Sequence, residues 1–394
     1  MSDVVQITQK TDGLASSSPD WASLASKIAD EFSLTAASVD QQAVFPADNF
    51  ARLRDAGFLA LTAPADMGGQ GASLSLAYRV ITEIARGEPS TALILFMQYV
   101  NLALLPRGRA SAEVARRVVS DAVTRGALIN SLRVEPELGS PSRGGLPATT
   151  ARRSADGWTL SGTKIYSTGS TGLSWMLVWA RTDEVEPRVG RFLVPADSSE
   201  ISISPTWRAL GMRAMVSHAV TFDDVRLPLE AAVELHPAAE QREKQPLESI
   251  WSACLLSAVY HGIALAARGW LVTFLNTRRP SNLGAALSSL QRVQEALGRI
   301  EEKLFCNDQL LMGLARSVDE GGTLSASHPG FLKSIVTENA IYIVEEALKL
   351  SGNHGISLDN PLERYYRNVL CGRIHTPQQD AVWTGAGRAL SMKS

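Results

Sequence analysis

The period of the apolar positions changes twice along the chain. From residue 21 to about 125, WASLASKIADEFSLTAASV, NFARLRDAGFLAL and LSLAYRVITEIARG repeat apolar residues every three or four places, which predicts a layer of amphipathic helices. TAPADMGGQGAS breaks that layer with the proline and glycine punctuation of an irregular loop. From 126 to 234 the runs GWTLSGTKIYSTG, WMLVWAR, GRFLVPA, ISISPTW and HAVTFDDVRL are short, alternating or β-branched, so a small β domain is expected. From 235 to 394 the helical period returns in long segments that read as antiparallel helices of a bundle, among them SIWSACLLSAVYHGIALAARGWLVTFLN and GFLKSIVTENAIYIVEEALKLSG. Residues 1–20 are polar and predict a flexible tail.

Composition narrows the function classes. The 394 residues are too many for one small core and suit two or three packed units. The net charge is −2 and no Lys/Arg block of five appears, which points away from nucleic acid or an anionic membrane and toward a small-molecule substrate. Three distant cysteines without a CxxC pair argue against a disulfide framework and a zinc site, and His236, His261 and His328 lack metal-ligand spacing. The N-terminus lacks the apolar core of a signal peptide, and no apolar run is expected to span a membrane, so a cytoplasmic location is expected.

The domain order and five local strings resemble the acyl-CoA dehydrogenase superfamily, from about Phe45 nearly to the C-terminus. FPADNFARLRDAGFLALTAPADMGGQG matches the N-terminal signature, and RVEPELGSP stands where the family carries TEPGxGSD. SGTKIYSTG replaces GxKxWITNG, RALGMRAMVSHAVTFDDVRLP fits LGxRxxxxxxxxFxxVxVP, and LSGNHGISLDNPLERYYRNVLCGRI fits GGxGxxxxxPxExxxRDxxxxxI. The resemblance implies an acyl-CoA dehydrogenase fold: an N-terminal α-helical domain, a middle β-barrel domain and a C-terminal antiparallel four-helix bundle. It also implies a flavin and a homotetramer.

Thioester dehydrogenation needs a positioned carboxylate to take the weakly acidic proton beside the carbonyl. In the family this is usually the glutamate of an IYEGT-like string, which aligns here with Ile374, His375, Thr376, Pro377 and Gln378. Thr376 cannot serve as that base. The alternative family position, on the first long helix of the last domain, falls near Ser252, with Glu248 the nearest acid; Asp380 is the other candidate. A histidine at this place resembles instead the two-component flavin monooxygenases, which take reduced flavin from a separate reductase. They use O2 through a C4a-hydroperoxyflavin to oxygenate a small organic substrate at carbon, nitrogen or sulfur. His375 is then the expected donor to the distal oxygen, because its charge state changes near neutral pH. The alternative reading is an acyl-CoA or acyl-carrier-protein thioester dehydrogenase or oxidase with FAD and a non-standard base; a relative that has lost catalysis is a third.

By resemblance, Ser131, Leu132, Arg133, Val134, Gly139 and Ser140 line one flavin loop, with Val134 replacing a ring-bonding threonine. Tyr166, Ser167 and Thr168 replace Trp-Ile-Thr and keep an aromatic face and a hydroxyl, while Asn130, just before the first loop, either faces the reacting oxygen or is an edge asparagine of a strand. Gln98, Tyr99 and Asn101, in an otherwise apolar helix, either bond one another or face the cavity. The dinucleotide strings are displaced: Arg278 and Arg279 lie upstream of the expected arginine, and Lys349 and Asn353 replace a glutamine and a glycine. Reduced FMN is therefore expected, with FAD as the alternative, and Arg278 and Gln378 are assigned to the cofactor. His354 reads as an exposed turn histidine, and His218 receives no role.

Overall fold

The computed structural model describes residues 4–6 (backbone only), 19–107, 110–138, 145–238, 240 and 246–391. After the short β1 (Val4–Gln6), the first domain consists of α1 (Trp21–Gln42), α2 (Ala47–Asp55), α3 (Leu74–Gly87), α4 (Pro89–Leu104) and α5 (Ala112–Arg125). Its helices begin where side chains satisfy the free N–H groups of a first turn. Asp20 accepts from Ser23 at α1, Ser73 from Leu76 at α3, and Glu88 from Ser90 and Thr91 at α4. Asp319, distant in sequence, adds two more caps on α3, accepting from the N–H groups of Leu74 and Ser75 at 2.9 Å each. That carboxylate ties the first domain to the last.

The middle domain carries β2 (Ile129–Leu132), β3 (Thr150–Arg153), β4 (Trp158–Ser167), β5 (Trp175–Thr182), β6 (Arg188–Pro195), β7 (Ile201–Ser204), β8 (His218–Leu227) and β9 (Ala232–Pro237). They form one eight-stranded sheet in the order β7-β8-β4-β3-β5-β6-β9, with β2 running parallel to β5. The signature strings RVEPELGSP and SGTKIYSTG are pinned together inside it. Lys164 Nζ lies 2.6 Å from Glu135 Oε1, with both side chains sealed from solvent. Glu135 also accepts from the Ala148 and Thr149 N–H groups and from the Thr149 hydroxyl. Burial works against its charge, but these hydrogen bonds outweigh it and hold the carboxyl below its usual range, whereas burial pushes the Lys164 ammonium down to about 8.

The last domain comprises α6 (Pro246–Thr277), α7 (Gln291–Asp319), β10 (Thr323–Ser325), α8 (His328–Ser351), α9 (Asn353–Ile356), α10 (Leu362–Leu370) and α11 (Gln379–Ser391). β10 pairs antiparallel with β1. The expectation that no apolar run reaches membrane-spanning length is corrected here: α6 is long and apolar enough by length and composition, because 83% of its most apolar window is buried within the fold. An all-round apolar helix is what a core position requires. Gly262 lets α6 approach α3, since a Cβ there would stand 2.4 Å from the Thr82 carbonyl oxygen. Arg367 of α10 locks the three domains: it bonds Asp40 of α1 at 2.7 Å, Glu363 at 2.7 Å and the carbonyl of Leu210 at 3.0 Å.

Candidate active site

Two polar groups stand out, one at the segment 210–217 of the middle domain and one at the connection after α10. The first surrounds Asn130 and Thr168. Asn130, buried in β2, donates through Nδ2 to the Thr168 carbonyl at 2.9 Å and accepts the Ser131 N–H at 2.7 Å. Thr168 Oγ1 shares a 3.0 Å hydrogen bond with Ser217 Oγ, and Ser170 donates to the Val216 carbonyl. Ser131 Oγ donates to Asn101 Oδ1 at 3.0 Å, linking β2 to α4. Asn130 and Thr168 are thus brought together. Ser217 joins them across 49 residues of chain, and only the partnership of β4 with β8 could have revealed it.

The strand end that carries Tyr166 is sharply bent, with φ +54° at that residue, so consecutive side chains diverge. Tyr166 is 60% exposed and packs edge-on against Trp207 at 6.3 Å, while Ser167 is buried and its hydroxyl has no hydrogen-bond partner. An exposed aromatic face beside an unpaired buried hydroxyl fits the expected ring of a flavin. His218 accepts the Trp207 N–H at Nδ1, and burial lowers its pKa; this bond gives it the bracing role that the sequence did not assign.

The second group surrounds His375, in the connection between α10 and α11. His375 is half-buried as a residue, yet its Nε2 is sealed from solvent and has no hydrogen-bond partner. Its ring lies 6.0 Å from that of Tyr260, whose hydroxyl is also buried and unpartnered, as is the Thr337 hydroxyl. Burial, and then the charge of Lys333, push the imidazole down to about 4, so it is neutral at physiological pH. Lys333 Nζ donates to the His375 carbonyl at 2.8 Å. A cleft of about 250 Å³ opens beside it, lined by Lys333, Thr337, Glu338, Arg373, Gln378 and Asp380.

The segment 210–217 joins the first group to α10. The Met212 N–H donates to Asn368 of α10 at 2.7 Å, and the Gly169 N–H donates to the Met215 carbonyl at 2.9 Å.

The remaining site candidates separate. Leu132 lies in the hydrophobic core, which leaves only its backbone for a ligand, and the Val134 carbonyl accepts the Ile165 N–H of β4. Arg133 sits over the Trp179 ring at 5.2 Å and 3.8 Å from Glu248, which Arg191 also approaches at 3.8 Å. Glu248 is thus committed to two guanidinium groups, and Asp380 is exposed on the first turn of α11. Gln98 braces the Leu59 and Ala127 carbonyls and the Ile129 N–H, so it is a structural clamp, while the buried Tyr99 hydroxyl has no partner. Arg278 stands exposed just beyond α6, about 45 Å along the helix direction from Glu248. It shares that corner with exposed His354, whose ring is 5.1 Å from Phe274, the residue that accepts the Arg278 N–H. Gly139 and Ser140 lie outside the described residues. Among the described residues no group of three or more metal-ligating side chains occurs.

Comparison with known proteins agrees with this architecture. The acyl-CoA dehydrogenase N-terminal, middle and C-terminal domain profiles match residues 22–123, 134–225 and 230–376. The Bacillus subtilis (strain 168) protein named "Putative acyl-CoA dehydrogenase YdbM" is 34% identical over 364 residues, covering 92% of this chain and 94% of its own. Butyryl-CoA dehydrogenase from Megasphaera elsdenii superposes with a TM-score of 0.85 at 18% identity, over 96% of this chain and 100% of its own. KijD3, in complex with FMN and a dTDP-amino-keto sugar, superposes with a TM-score of 0.82 at 24% identity over 98% of both chains. TdsC from Paenibacillus sp. A11-2, with FMN and indole, gives 0.84 at 21% identity, over 94% of this chain and 96% of its own.

Proposed function

The chain belongs to the acyl-CoA dehydrogenase family, and we propose that within it this protein is a monooxygenase that uses reduced flavin and O2 on a small organic substrate. One observation carries the reading: where the family pattern places a carboxylate base this chain has Thr376, and the residue before it, His375, presents a neutral imidazole whose Nε2 is buried and unpartnered. Such a group offers one hydrogen bond in a dry site and is a poor match for abstracting a weakly acidic proton. The two acids in reach are ill-suited to replace it, Glu248 because two arginines hold it and Asp380 because it is exposed.

Tyr166, Ser167 and Thr168 would hold the flavin ring, and Arg278 or His354 would meet a phosphate, in a homotetramer one contributed by a neighbouring copy. Bound reduced flavin supplies the electrons that activate oxygen. Asn130 and Ser217 fix Thr168, Tyr260 packs beside the His375 ring, and His375 would donate to or accept from the reacting oxygen. FMN is the preferred cofactor, supported by the FMN complexes of KijD3 and TdsC. A separate reductase would deliver it reduced.

Thioester oxidation is the second reading, favoured by the name of the 34%-identical relative. Anaerobic mixing with reduced FMN, and separately with reduced FAD, followed by an oxygen pulse in a stopped-flow spectrometer, decides between them. A long-lived absorbing species distinct from oxidised flavin is expected. Immediate return to oxidised flavin, together with bleaching of bound FAD by acyl-CoA thioesters, replaces the proposal with the second reading.

A further inference from the structure

Lys333 is 2% exposed, and among the described residues no carboxylate lies within ion-pair distance of its Nζ. Glu338, on the same helix, gives its carboxylate to Arg373 at 2.7 Å and 2.8 Å. Burying a long cationic side chain without a counter-ion is costly, so the group it does bond is informative. That group is the backbone carbonyl of His375, in a connection where no helix or sheet ladder supplies a donor.

We infer that Lys333 is the positioning residue of His375: its ammonium holds the His375 peptide and fixes the direction in which the imidazole leaves the backbone. α8 grips this segment at two places one turn apart. Lys333 takes the carbonyl, and Thr337, four residues on, packs against the turn at Gly372, where a Cβ would stand 2.7 Å from the Thr337 methyl and 3.3 Å from the Tyr260 ring. The other titratable groups around the seam are Tyr260 on α6, Glu338 on α8, Cys371 and Arg373 beyond α10, and Asp380 on α11. Arg373 takes the Glu338 carboxylate, whose charge reaches Lys333 only from beyond ion-pair distance, and the Lys333 ammonium adds to burial in disfavouring the imidazolium. One side chain thus fixes the direction of the ring and adds to the burial that keeps it neutral. This inference rests on the proposed placing of His375 at the reacting oxygen only for its catalytic consequence.

The test uses full-length Lys333→Met, Lys333→Gln and Lys333→Arg. Hydrogen–deuterium exchange at the histidine C2 carbon, read by mass spectrometry across pH, reports the His375 ring without requiring activity. In Lys333→Met, exchange at His375 should rise about tenfold and its apparent pKa by about one unit, with His218 and His261 unmoved as controls. Arginine should restore both readouts. Glutamine, a neutral donor, should restore the exchange rate but leave the pKa raised. Unchanged His375 exchange in Lys333→Met overturns the inference, as does a change spread equally over all three histidines. Product formed per flavin oxidised should fall in the order Met, Gln, Arg. If His375 exchange responds as stated and coupling stays unchanged in Lys333→Met, Lys333 still positions His375 and the oxygen role of His375 is what fails.

Discussion

Two buried lysines, Lys164 in the middle sheet and Lys333 in the helical seam, share an ammonium pushed down to about 8 by burial but differ in what surrounds them. Lys164 faces a carboxylate that four groups satisfy, whereas Lys333 faces a peptide carbonyl next to three unpartnered polar atoms, on His375, Tyr260 and Thr337. A closed network fixes a shape, and an open one leaves hydrogen-bonding capacity for something else. The contrast marks the first region as scaffolding and is why we propose the second for chemistry.

The strongest way to break this comparison is Lys164→Met. It strands Glu135 in the sheet and should destabilise the protein by about 3–5 kcal/mol in urea unfolding, with most of the loss recovered in the double variant Lys164→Met/Glu135→Leu. A loss below about 1 kcal/mol would mean that the pair is not the clamp described.

Next comes the pH dependence of the second region. His375 titrates near 4 in the folded chain against 6.5 unfolded, so between those values the unfolded state binds the extra proton and stability falls as pH drops. The loss is full below the folded value and amounts to roughly 3 kcal/mol at most. Melting temperatures of the protein and of His375→Gln, compared from neutral pH downward, should converge on acidification; parallel curves would show a solvated imidazole.

Asn130→Ala removes a donor to Thr168 and an acceptor for Ser131, and it should cost about 1–3 kcal/mol while weakening flavin binding. Fluorescence titration with flavin and urea unfolding measure the two effects separately. The smallest expected effect sharpens the functional reading. Glu248→Gln and Asp380→Asn should each change oxygen-dependent turnover by less than about twofold, since neither acid is given a proton to move. Abolished turnover in either would restore the thioester mechanism.

Much of the fold was legible because periodicity and ordered signature strings are local quantities. The helix–sheet–helix order and the loss of the carboxylate at Thr376, with His375 just before it, could be expected from the chain; that Asn130 bonds the Thr168 carbonyl could not. Other features were not. The signature residues Glu135 and Lys164 read as two strings until the sheet folds them into one ion pair. Gln98, ambiguous in a helical string, becomes a clamp because three backbone groups from two other segments converge on it.

What the sequence by itself determined is which side chains are available and the order of the layers that carry them, since hydrophobic period and turn chemistry act over a few residues. Which polar atoms find partners was decided only in the tertiary structure. Ser217 closing on Thr168 across 49 residues, Asp319 capping α3 across about 245, and Lys333 reaching the His375 peptide across 42 all depend on long-range packing. Burial then changes the chemistry of those groups, because removing water strengthens a made hydrogen bond and penalises every charge and donor left without one.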